Sequence, residues 1–224
     1  LNPNVEMKDS GVEWIGEIPS GWDVKKIKYI SRITSGSTPK SGVESNWGGD
    51  IRWITPTDIG KVKNNKYIEL TKRNITVSGL NSCGCSITPE GSVVITCRGP
   101  IGNVIIPTFN FTTNQGCKSL VCYKNFISDY LYYFLLISKN HLESLGKGTT
   151  FMELSTISLE SCCISVPQLQ EQQQIVDYLD KETSKIDKLV DIESNRIELL
   201  KEYRQSLISD VVTGKVDVRD EVLI

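Results

Sequence analysis

Over residues 167–213 apolar positions recur at steps of three and four, so that Ile175, Leu179, Ile186, Val190, Ile197, Leu200, Leu207 and Val211 fall on one seam. Glu182, Glu193 and Arg204 fill the seam positions between them. The spacing predicts one long amphipathic helix. Pro167 suits its first turn, Glu171 stands near the positive end of its dipole, and Gly214 supplies the stop. At ~1.5 Å per residue such a helix spans roughly 65 Å, about twice the width of a small domain. Folding it back on the preceding domain would leave most of it uncovered. The steps mostly alternate three and four, with one extra four from Ile186 to Val190. That pattern asks for a partner helix along the seam with little supercoil, and the polar seam residues make partner and register specific.

Upstream the periods shorten. Residues 1–21 read as a polar, turn-rich lead-in that Trp14, Ile15, Ile18 and Trp22 can pin to a domain. Val24, Ile27, Ile30 and Ile33 interleave with Lys25, Lys26, Lys28 and Arg32 in a stretch that suits helix or strand. Ser35-Gly36-Ser37-Thr38-Pro39 breaks it. Residues 51–54 read as a strand closed by a turn at 55–58, and 61–73 as a charged loop or edge segment. From Val77 short buried strands with tight turns are expected, including 92–97 and 103–106 around a connection at 98–102, then 109–114 and 119–123. A helix over about 128–145 follows, its apolar run 130–137 turned to a core. After a flexible loop at 146–150 come one helical turn capped by Ser155 and a last strand at 163–166. The fold class is therefore α+β, a mixed-sheet domain (1–166), then the long coiled-coil-forming helix (167–213) and a short tail (214–224).

Charge adds a second asymmetry. Residues 1–24 carry one Lys against five acids, 25–73 eleven Lys and Arg against four acids, 74–167 five against five, and 168–224 eight against thirteen. A basic block of net +7 joined to an acidic helix suits a nucleic-acid binder with a protein-binding arm, although a solvated loop region also collects lysines. Cys83, Cys85, Cys97, Cys117, Cys122, Cys162 and Cys163 are odd in number and lie mostly in apolar runs, which reads as free thiols in a reducing cytoplasm. The longest apolar run falls far short of the ~20 residues that cross a bilayer, so no membrane partner is expected.

Catalytic signatures are missing. The Gly-Lys pairs at 60, 146 and 214 are followed by Val, Gly and Val rather than the hydroxyl residue of a phosphate-binding loop, and no G-x-S-x-G elbow occurs. With one histidine, His141, and no C-x-x-C pair, no metal site is expected. The only candidates for the carboxylates and lysine of a metal-dependent nuclease, Glu6-Met7-Lys8 and Asp23-Val24-Lys25, lie in or near the lead-in, so that activity is not expected either. The chain reads as a binder.

Several segments, taken in order, resemble the specificity subunit of type I restriction-modification systems. They are the run at 9–22, Ser35-Gly36-Ser37-Thr38-Pro39, Ile51-Arg52-Trp53-Ile54 with Asp58-Ile59, Arg98-Gly99-Pro100-Ile101-Gly102, Thr113-Asn114-Gln115, the run at 130–135, Gly148-Thr149-Thr150-Phe151, Pro167 with Glu171, Gln172 and Ile175, and the closing run at 211–219. The resemblance implies a target-recognition domain followed by a helical spacer. The intact subunit carries two such units, whose helices pack antiparallel and whose domains each read one part of a split DNA site. It further implies docking to methylation (M) subunits and recruitment of a restriction (R) subunit. S-adenosylmethionine, ATP and magnesium are expected in those partners, with no cofactor and no catalysis in this chain. The runner-up is a coiled-coil adaptor that binds protein and not DNA. Only one unit is present, and residues 1–8 resemble the linker after the first helix of two-unit members. With no initiating Met, the chain reads as the second half of a full subunit, a naturally half-sized subunit being the alternative. The unpaired seam is then expected to drive an antiparallel homodimer in isolation.

Candidate contacts to double-stranded DNA are Lys40, Arg52, Lys61, Lys63, Lys72 and Arg73 from the basic block, Arg98, and Lys147, Thr149 and Thr150 from the glycine-flanked loop. Arg52 and Arg98 are equally suited to a framework role, and the lysines to plain solvation.

Overall fold

The structure is a computed structural model that describes residues 5–62, 65–148 and 152–219. Lys63, Thr149 and Thr150, three of the candidate contacts, lie outside the described residues. The chain divides into two units, 1–176 and 177–224.

In the first unit the lead-in forms a hairpin, β1 (Met7–Asp9) against β2 (Glu17–Pro19), with Trp14 and Ile15 packed on the core. The ambiguous basic stretch resolves into two strands, β3 (Asp23–Lys26) and β4 (Ser31–Ser35), separated by a 3-10 turn at Ile27–Tyr29. Then follow β5 (Trp47–Ile54), α1 (Pro56–Lys61), β6 (Tyr67–Ile68), β7 (Arg73–Ile75) and α2 (Val77–Cys83). The remaining strands and helices are β8 (Val93–Thr96), β9 (Val104–Pro107), β10 (Phe111–Thr113), β11 (Cys117–Cys122), α3 (Ser128–Ile137), α4 (Lys139–Ser144), α5 (Thr156–Ser161), β12 (Cys163–Val166) and α6 (Leu169–Val212).

A five-stranded sheet in the order β4-β11-β8-β9-β6 forms the centre, antiparallel except for the parallel pair β6–β9. Both of its faces are covered, which is why Val93-Val94-Ile95 runs apolar without alternating. Val93, Ile95 and Leu120 face a core shared with Leu131, Leu135 and Leu159, whereas Val94, Ile105 and Cys117 face a second core with Ile54, Ile59 and Phe111. The second core is closed by a three-stranded sheet, β10-β5-β7, in which β10 runs parallel and β7 antiparallel to β5. Each of these large side chains contributes about 1.5–3 kcal/mol on burial.

Three expectations are corrected. Residues 55–58 do not close β5 as a turn; they open α1, with Pro56 in the first turn and a reciprocal cap between Thr55 and Asp58. The stretch from Val77 begins with helix α2, whose Thr76 hydroxyl accepts the N–H of Gly79 at 3.0 Å and whose end is the left-handed Gly84. The helix expected over 128–145 breaks at Ser138, whose hydroxyl donates to the carbonyl of Phe134 at 2.6 Å.

The long helix α6 has 44 residues. Its first two turns belong to the first unit: Val176 is buried, and the Gln172 side chain accepts the N–H of Ile127 at 2.9 Å while donating to the carbonyl of Pro167 at 3.0 Å. In the second unit the seam residues Ile186, Val190, Ile197, Leu200 and Leu207 are 45–58% exposed within the single chain, Val211 somewhat less. Gly214, at φ +74°, ends the helix as expected, and the N–H of Lys215 donates to the Asp210 carbonyl.

Candidate functional site

Three candidates from the basic block come together around one short segment. Asp58 is buried in α1, and its Oδ2 accepts both the N–H of Thr55 at 3.0 Å and the Thr55 hydroxyl at 2.6 Å. Its Oδ1 accepts the N–H of Lys72 at 3.0 Å. One carboxylate therefore starts the helix carrying Lys61 and fixes the backbone of Lys72. A cleft of about 570 Å³ opens between them, lined by Lys61, Tyr67, Leu70 and Lys72.

Arg73 continues the same edge. It lies opposite Trp53 in the β5–β7 register, so both side chains share a face of the sheet. The guanidinium stacks on Trp47, 3.7 Å from the ring centroid, with Trp53 at 5.9 Å. Trp53 is itself held edge-on to Trp47 and donates from Nε1 to the Ser37 carbonyl at 3.1 Å. The extra residues Gly48 and Gly49 in β5 allow this arrangement. Gly48 has φ +79°, and a Cβ on Gly49 would stand 2.6 Å from the Thr76 Cα. A second hollow of about 290 Å³, lined by Trp47, Gly48, Lys72, Arg73 and Asn74, adjoins the stacked guanidinium. Lys61, Lys72 and Arg73 are exposed.

The other candidates divide. Arg52 is half-buried on the opposite face of β5, its guanidinium 5.5 Å from the Phe109 ring. That placement suits the framework role. Lys40 is exposed before β5, where its carbonyl accepts from Asn46 at 3.4 Å. Arg98 and Lys147 meet at Glu153: Arg98 pairs with its carboxylate at 2.9 Å, and Lys147 exchanges two backbone hydrogen bonds with it. Asp129 accepts from Tyr67, which lines the cleft, at 2.8 Å and pairs with Lys66 at 2.6 Å, tying β6 to α3. Burial and the Asp129 hydrogen bond hold the Tyr67 phenol above its usual value.

The sequence reading missed Trp47 as the platform for Arg73 and Asp58 as the organiser of Lys72. For Asp58 the signal was present in Thr55-Pro56-Thr57-Asp58, a capping-box spacing. His141, half-buried, stacks on Trp14 at 4.7 Å between ring centroids. All seven cysteines are free thiols, with Cys97, Cys117 and Cys162 buried. Among the described residues no helix is long and apolar enough to cross a membrane.

Comparison with known proteins places these features in a family. The family model described as type I restriction modification DNA specificity domain matches residues 19–202. The chain is 37% identical over 200 residues to the type I restriction enzyme MjaIX specificity subunit of Methanocaldococcus jannaschii, covering 88% of this chain and 45% of that protein. It is 26% identical over 184 residues to the EcoR124I/EcoR124II specificity subunit of Escherichia coli, covering 79% and 42% of the two chains. Among solved structures, the HsdS subunit from Thermoanaerobacter tengcongensis shares the fold at a TM-score of 0.65 and 19% identity, over 96% of this chain and 48% of that one. The chain spans a little under half the length of the curated relatives it matches. The family model accounts for most of the mixed-sheet domain and most of the long helix alike, and the chain belongs to the type I restriction modification DNA specificity domain family.

Proposed function

We propose that this chain reads one half of a bipartite duplex DNA target within a type I restriction-modification complex. The observation that carries this reading is the gathering of Lys61, Lys72 and Arg73 on one exposed edge, held by Asp58 and Trp47. Lysines there neutralise phosphates, and a stacked, planar guanidinium is suited to a guanine edge in the major groove.

The seam of α6 takes the antiparallel helix of the other specificity half, or of a second copy of this chain in isolation. The helix pair then sets the spacing between two half-sites. Methylation subunits bring S-adenosylmethionine to the adenine, and a restriction subunit brings ATP and magnesium. This chain supplies recognition and scaffolding, and no catalytic step.

The test is methylome sequencing of cells that express the complete system with this half present, exchanged or deleted. Loss or change of one half of a split methylated motif supports the reading and names the bases. An unchanged methylome overturns it.

A further inference from the structure

Lys118 lies in β11 and is only 5% exposed. It stands opposite Ser35 of β4 and Ile95 of β8, so its stem lies on the face of the sheet that Ile95 and Leu120 line. Its ammonium reaches the Ser35 hydroxyl at 3.4 Å, and no carboxylate among the described residues lies within salt-bridge distance of it. Ser35, which is exposed, is in turn 3.3 Å from the Thr156 hydroxyl. A buried ammonium needs a counter-charge or a full set of acceptors, and one long hydroxyl contact supplies neither.

Hydrogen bonds between segments set further charged residues near this end of the sheet. Ser37 N–H donates to the Thr113 carbonyl at 2.9 Å and Thr38 donates to Gln115, which joins the Ser35 segment to the turn before Lys118. Cys97 N–H donates to the Gly116 carbonyl at 2.7 Å, and Leu154 N–H donates to the Cys97 carbonyl at 2.9 Å. These links bring the Arg98, Glu153 and Lys147 group to the same end of the sheet. Burial pushes the Cys97 thiol up to about 12 while the charge of Lys118 acts the other way, so that charge is felt at the residue preceding Arg98. Three basic residues thus lie toward one end of the sheet with Glu153, whose carboxylate is taken by Arg98.

We propose that the Ser35 and Thr156 hydroxyls, with the Lys118 ammonium behind them, form an anchor for a phosphate of the DNA backbone. Ser35 accepts from Lys118 and, with the Thr156 hydroxyl donating to it, keeps its own O–H to donate outward. Hydroxyls backed by a lysine point charge match a phosphate oxygen, and contacts of this kind position a protein on duplex without reading sequence. The anchor is separate from the edge of Lys61, Lys72 and Arg73, and it rests on the DNA-recognition reading above.

The experiment compares parent, Lys118→Met and Ser35→Ala complexes, each the full subunit assembled with its methylation subunits, for binding to duplex carrying the methylated motif across a salt series. Lys118→Met is expected to bind about tenfold more weakly. Its plot of log affinity against log salt should be shallower by about 0.9, with the methylated sequence unchanged. Ser35→Ala, an exposed change that spares the core, should weaken binding in the same direction by a smaller factor, and it decides the matter if Lys118→Met fails to fold. Parental affinity and slope in Ser35→Ala and in a folded Lys118→Met would overturn the anchor. So would loss of assembly with the methylation subunits at unchanged duplex binding, which would assign the site to an acidic protein surface. If the parent complex itself binds duplex without regard to salt or sequence, the recognition reading falls, and the anchor with it.

Discussion

Asp58 and Lys72 are joined by a 3.0 Å hydrogen bond from a backbone N–H to a buried carboxylate, across a separation of 14 residues. The same carboxylate caps α1 through Thr55. Asp58→Ala takes the acceptor from the N–H groups of Thr55 and Lys72 and is expected to cost about 1–3 kcal/mol, read by urea unfolding. Asp58→Asn, which keeps one acceptor oxygen, should cost less. Equal stability of the Ala variant and the parent would show that the Lys72 backbone is held by other contacts.

Arg73 and Lys72 are neighbours with different expected roles. In the assembled complex Arg73→Ala should relax the requirement for one base of the half-site, at about 1–3 kcal/mol. Lys72→Ala should weaken all duplexes alike and lower the salt slope by about one. Competition binding against single-base variants of the half-site separates the two, and an unchanged base preference in Arg73→Ala would remove it from the readout.

Leu200 lies on the seam of α6 and is 58% exposed, whereas Leu199, 65% exposed, lies about a third of a turn away. In the isolated chain Leu200→Glu should yield monomers in light scattering, and Leu199→Glu should leave association intact. A dimer that survives Leu200→Glu would show that the interface lies elsewhere.

His141 stacks on Trp14, and burial lowers its pKa below the usual histidine value. The unfolded chain takes up the proton first, so the stability held above the ordinary histidine value is lost as the pH falls through the lowered one. Trp14 packing, followed by NMR of the His141 ring, should titrate with a midpoint below that ordinary value. His141→Phe should retain the stacking and abolish this pH dependence. A midpoint at or above the ordinary value would contradict the lowered pKa.

What could be read from the chain was whatever repeats at short range. The three-and-four seam gave α6 almost to the residue, because covalent geometry sets the helical period, and the apolar run within 92–97 gave a short buried strand. Ser155 announced α5 by the same local logic, its hydroxyl accepting the Ser158 N–H at 3.0 Å. The helices α1 and α2 were missed although Thr55 and Thr76 are good caps, since neither carries enough apolar residues to show a period.

The site was legible only as a list. Charge counting located the basic block, but which of its members meet depends on pairings between distant strands. The β5–β7 register sets Arg73 on the face of Trp47 and Trp53 and Arg52 on the other. Lys118 looked like any lysine in sequence. The pairing of β11 with β4 on one side and β8 on the other took it out of water and set it behind Ser35. The sequence alone determined the fold class and the long helix, because those follow from local period and composition. The tertiary structure decided which charges are exposed, stacked, paired or buried, because desolvation and contact depend on neighbours that the chain brings together from afar.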